Sequence, residues 1–80
     1  MTTTTELVLS ALCDLAPEVD AASIDVDREL REQIDLDSMD FLTLLEAVAA
    51  ATGVEVPERD YPRVATISAL SAYVDERRVG

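Results

Sequence analysis

The stretch at residues 31–57, "REQIDLDSMDFLTLLEAVAAATGVEVP", marks the point where a polar loop gives way to a long apolar helix. Asp37 or Ser38 can cap this helix, because a short polar side chain at that position accepts a hydrogen bond from a free backbone N–H. Asp40 falls in the first turn, where the helix dipole favours negative charge. Gly53 is the residue type expected just after a last helical turn. The sequence therefore predicts a helix that begins at about Ser38 and ends before Gly53.

This helix is expected to have one face toward the core and one toward solvent. The predicted inner stripe, with Phe41 at its edge, consists of Leu42, Leu45, Val48, Ala49 and Thr52. The predicted outer face consists of Met39, Thr43, Glu46 and Ala50. Because that face has little charge for a solvated helix, we predict that it is a contact surface.

A first helix and a long loop precede this segment. "TTTE" at residues 3–6 matches a capping box, in which the Thr and Glu side chains close free backbone donors at a helix start. The predicted inner face of the helix consists of Val8, Ala11, Leu12 and Leu15, and Pro17 ends it. Residues 17–37 show no sustained periodicity, but apolar residues recur through them: Val19, Ile24, Val26, Leu30, Ile34 and Leu36. We expect a long loop held on the bundle by these side chains, and loops of this length are usually functional.

The segment that follows, "VEVPERDYPRVAT" at residues 54–66, holds two prolines and predicts only a short helical turn capped by Asp60. Thr66 then caps a last helix whose inner side chains are Ile67, Leu70 and Val74. The predicted fold is all-α: a small four-helix bundle of three main helices and one short helix, with a long loop between helices one and two. We expect residues 1–80 to form a single domain.

Charge excludes several classes of partner. Seventeen acidic residues against six arginines leave a net charge of -11. Such a surface repels phosphate backbones and anionic headgroups, so we expect neither nucleic-acid nor membrane binding. A partner with a basic patch is the natural complement.

The single cysteine and the N-terminus favour a cytoplasmic protein. Cys13 cannot form an internal disulfide, and we interpret it as a small core residue. The N-terminus lacks the basic start and long apolar run of a signal peptide, and no segment approaches the roughly 18 apolar residues of a membrane span.

Ser38 admits several interpretations. It could simply cap the helix. A hydrolytic serine needs a general base, usually histidine, and the chain has neither histidine nor lysine, so we expect no catalysis by this chain alone. A calcium loop fits poorly, because Met39 and Asp40 stand where an oxygen ligand and a glycine are needed; we predict no metal site. The remaining possibility is that another enzyme modifies the exposed hydroxyl.

"DLDSMDFLTLLEAV" followed by "TGVEVPERD" resembles the acyl carrier proteins, and the resemblance extends over nearly the whole chain. It implies that Ser38 receives 4'-phosphopantetheine from coenzyme A through a phosphopantetheinyl transferase, and that the arm then carries acyl groups as thioesters for fatty acid or polyketide-type biosynthesis. The protein itself would be no enzyme but a monomeric carrier, with acyl-transferring and ketosynthase-type enzymes as partners that have basic docking patches.

The resemblance also implies roles for residues around Ser38. The residues expected to be recognised by partners are Asp37, Met39, Asp40, Thr43 and Glu46. Those expected to line an acyl pocket, between the long helix and the short turn, are Phe41, Leu42, Leu45 and Val48.

Several residues depart from the family pattern. Asp35 replaces a common glycine, and Thr52 stands where an aromatic residue often closes the core. These departures leave a specialised pathway open beside primary fatty acid synthesis. A cofactor-free helical interaction domain, in which Ser38 is only a cap, is the alternative function.

Overall fold

A computed structural model describes residues 3–78. It contains four α-helices, α1 (Thr4–Leu15), α2 (Leu30–Gln33), α3 (Ser38–Thr52) and α4 (Ile67–Arg77), and two 3-10 helices, Ala21–Ser23 and Glu58–Val64. Within the described residues, β-structure is limited to one isolated bridge between Glu29 and Thr66. The prediction of a small all-α bundle with three main helices is confirmed.

The main helices begin and end at the predicted positions. Thr3 and Glu6 form the reciprocal capping box of α1. Thr66 caps α4 by accepting a hydrogen bond from the Ala69 N–H. After α3, Gly53 adopts a left-handed conformation with φ of 78°, which a residue without Cβ adopts at little cost.

The core lies where α1 packs against both α3 and α4. Its fully buried side chains are Val8, Leu12, Leu30, Leu44, Val48, Val64, Ile67, Leu70 and Val74. The inward faces predicted for the first and last helices are therefore confirmed. α3 is the longest helix between residues 3 and 78, and neither it nor any other described helix has the length and apolarity that a membrane crossing requires.

The predicted inner face of α3 is partly wrong. Leu42 is 37% exposed, whereas Leu44, which the predicted stripe omitted, is fully buried, and Phe41 is buried rather than at an edge. The apolar residues of α3 can be grouped into two overlapping stripes at helical spacing. The predicted stripe includes Ala49 and Thr52, whereas the observed one includes Phe41 and Leu44. The observed stripe contains the larger side chains and buries more apolar surface.

The long loop is held on the bundle as predicted, although the sequence did not predict its short helix α2. Leu30 and Leu36 are buried, and the other apolar loop residues pack against the core. Leu30 N–H donates to the Ala65 carbonyl at 3.0 Å, and Ser68 N–H donates to the Val26 carbonyl at 2.8 Å. These bonds bring the second half of the loop against the start of α4.

Candidate functional site

Ser38 is the first residue of α3 and is exposed. Asp37 is the cap of this helix: its Oδ1 accepts a hydrogen bond from the Asp40 N–H at 2.8 Å. The sequence left the cap open between Asp37 and Ser38, and the structure assigns it to Asp37. The Ser38 hydroxyl is therefore not needed for capping, and the regular helix fixes its position.

A cavity of about 560 Å³ opens beside Ser38, and we call it the proximal cavity. Its lining residues come from α2 and the residue before it, from α3, and from the segment before α4: Glu29, Arg31, Ser38, Phe41, Glu58, Tyr61, Pro62 and Ala65. The backbone bond between Leu30 and Ala65 places the loop beside the start of α4, so that residues of both segments line the cavity. A flexible chain attached to Ser38 could enter this cavity.

The electrostatics around Ser38 are mixed. Asp37 and Asp40 lie on either side of it in the sequence, and Glu29 and Glu58 line the proximal cavity. Arg31 is the basic side chain among the lining residues. The start of a 15-residue helix favours an anion. A phosphate on Ser38 would therefore meet the helix dipole and Arg31 as favourable charges, with the two aspartates opposing them.

The 3-10 helix Glu58–Val64 forms the far side of the proximal cavity. Its cap is Pro57, so the prediction that Asp60 caps this turn is wrong; the Asp60 carboxylate points to α4 instead. Asp60 Oδ2 accepts a hydrogen bond from the Tyr73 hydroxyl at 2.7 Å. This bond, together with burial of the phenol, raises the pKa of Tyr73 above its ordinary value, while the nearby Arg77 opposes the rise.

A second cavity, of about 360 Å³, lies on the same side of α3, and we call it the distal cavity. Its lining residues are Leu42, Leu45, Glu46, Ala49, Glu55, Val56, Pro57 and Tyr61. Among the residues predicted to line an acyl pocket, Phe41 borders the proximal cavity, and Leu42 and Leu45 border the distal one. Val48 is fully buried in the core and borders neither.

The sequence predicted a pocket between the long helix and the short turn, but it did not single out Tyr61, Pro62 or Ala65 as lining residues. The available signal was Tyr61, one of three aromatic residues in the chain, in a segment bounded by prolines. A side chain of that size on a short element must either pack or fill a cavity.

The predicted outer face of α3 is exposed. Met39 is 71% exposed, the largest value among the large hydrophobic residues of the described range 3–78, and Thr43 and Glu46 are exposed as well. The Thr43 hydroxyl donates to the Met39 carbonyl at 2.9 Å, so its polar atom is directed back to the helix. Leu42 lies beside this face, which extends its apolar part.

Metal-ligating side chains do not cluster in the part of the chain that the structure describes. Between residues 3 and 78, no group of three or more His, Cys, Asp or Glu side chains could hold a metal ion. Around Ser38 the structure combines an exposed hydroxyl, an adjoining cavity and an exposed apolar face.

Comparisons with known proteins agree with this geometry. A family model described as "Phosphopantetheine attachment site" matches residues 6–74. The chain is similar to an acyl carrier protein from Rickettsia typhi, with 29% identity over 59 residues that cover 74% of this chain and 69% of the relative. An acyl carrier protein from Rickettsia prowazekii matches with the same identity and coverage.

Proposed function

The chain belongs to the acyl carrier protein family, whose phosphopantetheine-binding domain carries a covalently attached 4'-phosphopantetheine, and we propose that Ser38 is the attachment site in this protein. When bound, the arm supplies a terminal thiol that holds acyl groups as thioesters. The observation that carries the proposal is the exposed Ser38 on the first turn of α3, where Asp37 supplies the cap and leaves the serine free for modification.

The attachment step needs a second protein. Ser38 Oγ forms a phosphodiester bond with the pantetheine phosphate while the pyrophosphate bond of coenzyme A breaks, and adenosine 3',5'-bisphosphate leaves. The hydroxyl proton passes to a base of the phosphopantetheinyl transferase, because this chain has no histidine to accept it. This protein contributes the position of the hydroxyl and the surface that the transferase recognises.

Charge and one apolar side chain would carry partner recognition. Residues 14–40 contain ten acidic residues and two arginines, so the long loop and Ser38 lie in a negative region. Enzymes with a basic patch would associate faster with such a surface without being held for long, which suits a carrier that must leave each partner. We place Asp37, Met39, Asp40, Thr43 and Glu46 at this contact, with Met39 as its apolar centre.

The cargo would be an acyl intermediate of fatty acid or polyketide-type biosynthesis. The proximal cavity begins at Ser38 and has Phe41, Tyr61 and Pro62 among its walls, so it can shelter part of an acyl chain. Each CH₂ group that enters it would contribute about 0.8 kcal/mol to the stability of the loaded protein. The reactions on the cargo belong to acyl-transferring and ketosynthase-type partner enzymes, and we expect this monomeric carrier to meet them in the cytoplasm.

Intact mass spectrometry tests the attachment site. Purified apo protein is incubated with coenzyme A and a broad-specificity phosphopantetheinyl transferase. We expect wild type to gain the mass of one phosphopantetheine group and Ser38→Ala to gain none. Ser10→Ala, which removes an exposed hydroxyl from α1, is the matched control and should be modified like wild type.

Two outcomes would overturn the proposal. Equal modification of wild type and Ser38→Ala would place the arm on another residue. Absence of modification in the wild type, with a known carrier modified in the same reaction, would favour the cofactor-free interaction domain.

A further inference from the structure

Tyr61 lines both cavities beside α3, and it is the residue that their linings share. Its ring stands edge-on to the Phe41 ring, with centroids 5.9 Å apart and an interplanar angle of 85°. Edge-to-face contact is a favourable arrangement of two aromatic rings. The Tyr61 side chain therefore lies between the proximal cavity, which begins at Ser38, and the distal cavity.

The residues before and after Tyr61 both restrict its backbone. Asp60, the preceding residue, accepts the hydrogen bond from Tyr73 in α4 at 2.7 Å and lies 3.9 Å from the Arg63 guanidinium. Pro62, the following residue, has a fixed φ. The position of the Tyr61 ring is thus set by its neighbours as well as by Phe41.

The two cavities differ in chemistry. The proximal cavity has a charged rim of Glu29, Arg31 and Glu58. The distal cavity is bordered by two carboxylates as well, Glu46 and Glu55, but apart from Tyr61 its apolar lining is aliphatic: Leu42, Leu45, Ala49, Val56 and Pro57. An acyl chain gains from each apolar wall that it covers, and a chain that enters beside Ser38 meets the Tyr61 ring before it can reach the aliphatic wall of the distal cavity.

We propose that Tyr61 sets the length of acyl chain that this protein shelters, a proposal that rests on the proposed carrier function and concerns the same site. With the ring in place, a short saturated acyl group fits in the proximal cavity and the remainder of a longer chain stays in water. Replacement of the ring by a small side chain joins the two cavities. The longer chain then reaches Leu42 and Leu45.

The test uses holo protein loaded with saturated acyl groups of increasing length, in four versions: wild type, Tyr61→Ala, Tyr61→Phe and Arg59→Ala. Intact mass first verifies that each sample carries the arm and the acyl group. For wild type, we expect the melting temperature to rise with the first short groups and then to stay constant. For Tyr61→Ala, the rise should continue to longer groups.

The remaining two variants are controls. Tyr61→Phe keeps the ring, so its melting temperature should reach a plateau at the same acyl-chain length as wild type. A plateau at longer acyl groups would assign the effect to the hydroxyl and overturn the role of the ring. Arg59→Ala changes an exposed residue of the same 3-10 helix that lines neither cavity, so it should also follow wild type.

The outcomes separate the two proposals. Failure of Ser38 to be loaded counts against the carrier function. If loaded wild type and loaded Tyr61→Ala reach the same melting-temperature plateau at the same acyl-chain length, the role of Tyr61 is overturned. The carrier function then still stands.

If Tyr61→Ala does not fold, wild type alone still tests the proposal by NMR. The terminal methyl of a short acyl group should show a ring-current shift from Phe41 and Tyr61, and that of a long group should resonate as in water. The same ring-current shift for the long group would contradict the proposal.

Discussion

Two elements bridge α3 and α4, and they do so in different ways. α1 packs along both helices through fully buried side chains such as Val8 and Leu12, and Thr4 and Thr5 add hydrogen bonds to Asp75 and Ser71 of α4. The 3-10 helix packs on α4 and places its buried Val64 in the core, and its Tyr61 ring contacts the Phe41 ring of α3 and borders two cavities. The difference indicates that α1 fills the space between the two helices, whereas the 3-10 helix leaves two cavities beside α3.

The largest expected effect is on the α1 side. Leu12→Ala should lower the free energy of unfolding by about 2–5 kcal/mol, because it leaves a cavity in a fully buried site. Leu9→Ala, a partly buried position of the same helix, should cost less. Urea unfolding followed by circular dichroism measures both. Equal losses would contradict the assignment of the stabilising contacts of α1 to its fully buried side chains.

The next effect concerns the start of α3. Asp37→Ala should cost about 0.5–2 kcal/mol, because it removes the cap that accepts the Asp40 N–H. Ser38→Ala should cost less, since Ser38 is exposed and does not cap the helix. Urea unfolding of the two apo variants separates structural from functional roles. A larger loss for Ser38→Ala would return the capping role to the serine.

A smaller effect is expected on the side of the 3-10 helix. Tyr73→Phe removes the hydrogen bond to Asp60 and should lower the melting temperature by a few degrees while it speeds amide hydrogen exchange in residues 58–64. Exchange in α1 should change little. Faster exchange throughout the molecule would mean that the two bridges are one cooperative unit.

The stability contributed by the hydrogen bond between Tyr73 and Asp60 should decrease at alkaline pH. The pKa of Tyr73 is raised in the folded protein, so the stability from this bond is complete below the unfolded pKa of about 10 and is lost as the pH rises through the folded value. The free energy of unfolding of wild type should therefore exceed that of Tyr73→Phe at neutral pH, and this difference should disappear at alkaline pH. An advantage that grows with pH would contradict this assignment.

The smallest effect on stability is expected at the outer face of α3. Met39→Asp replaces a side chain that is 71% exposed and should leave the unfolding midpoint nearly unchanged, yet slow transfer of the arm by the transferase. Ala51→Asp, an exposed position of the same helix away from that face, is the matched control. The wild-type rate should also fall as salt is added, because exposed charges are screened over about 8 Å at physiological ionic strength. Equal transfer rates for both variants would count against Met39.

The sequence predicted what local rules determine. The capping box at Thr3, the cap at Thr66 and the glycine after α3 were confirmed because short-range hydrogen bonds and backbone freedom fix them. The attachment serine follows from a local motif in the same way and stays a prediction until it is tested.

What the sequence did not predict depends on contacts between distant residues. The choice between Leu42 and Leu44 as the inward side chain depends on packing against α1, and helical periodicity alone permits both. The position of Tyr61 between two cavities depends on Asp60 bonding to Tyr73, thirteen residues later in the chain. Such contacts leave no periodic signal in the sequence.

Peptide mass spectrometry of protein taken from its native cell tests the carrier assignment most directly. Cleavage after Arg31 and Arg59 releases residues 32–59, in which Ser38 is the only serine. The predicted result is a phosphopantetheine group on Ser38 of this peptide, with an acyl group bound to its thiol. Hydroxylamine should release that acyl group, because it cleaves thioesters. An unmodified Ser38 beside a phosphopantetheine group on any other residue would contradict the assignment.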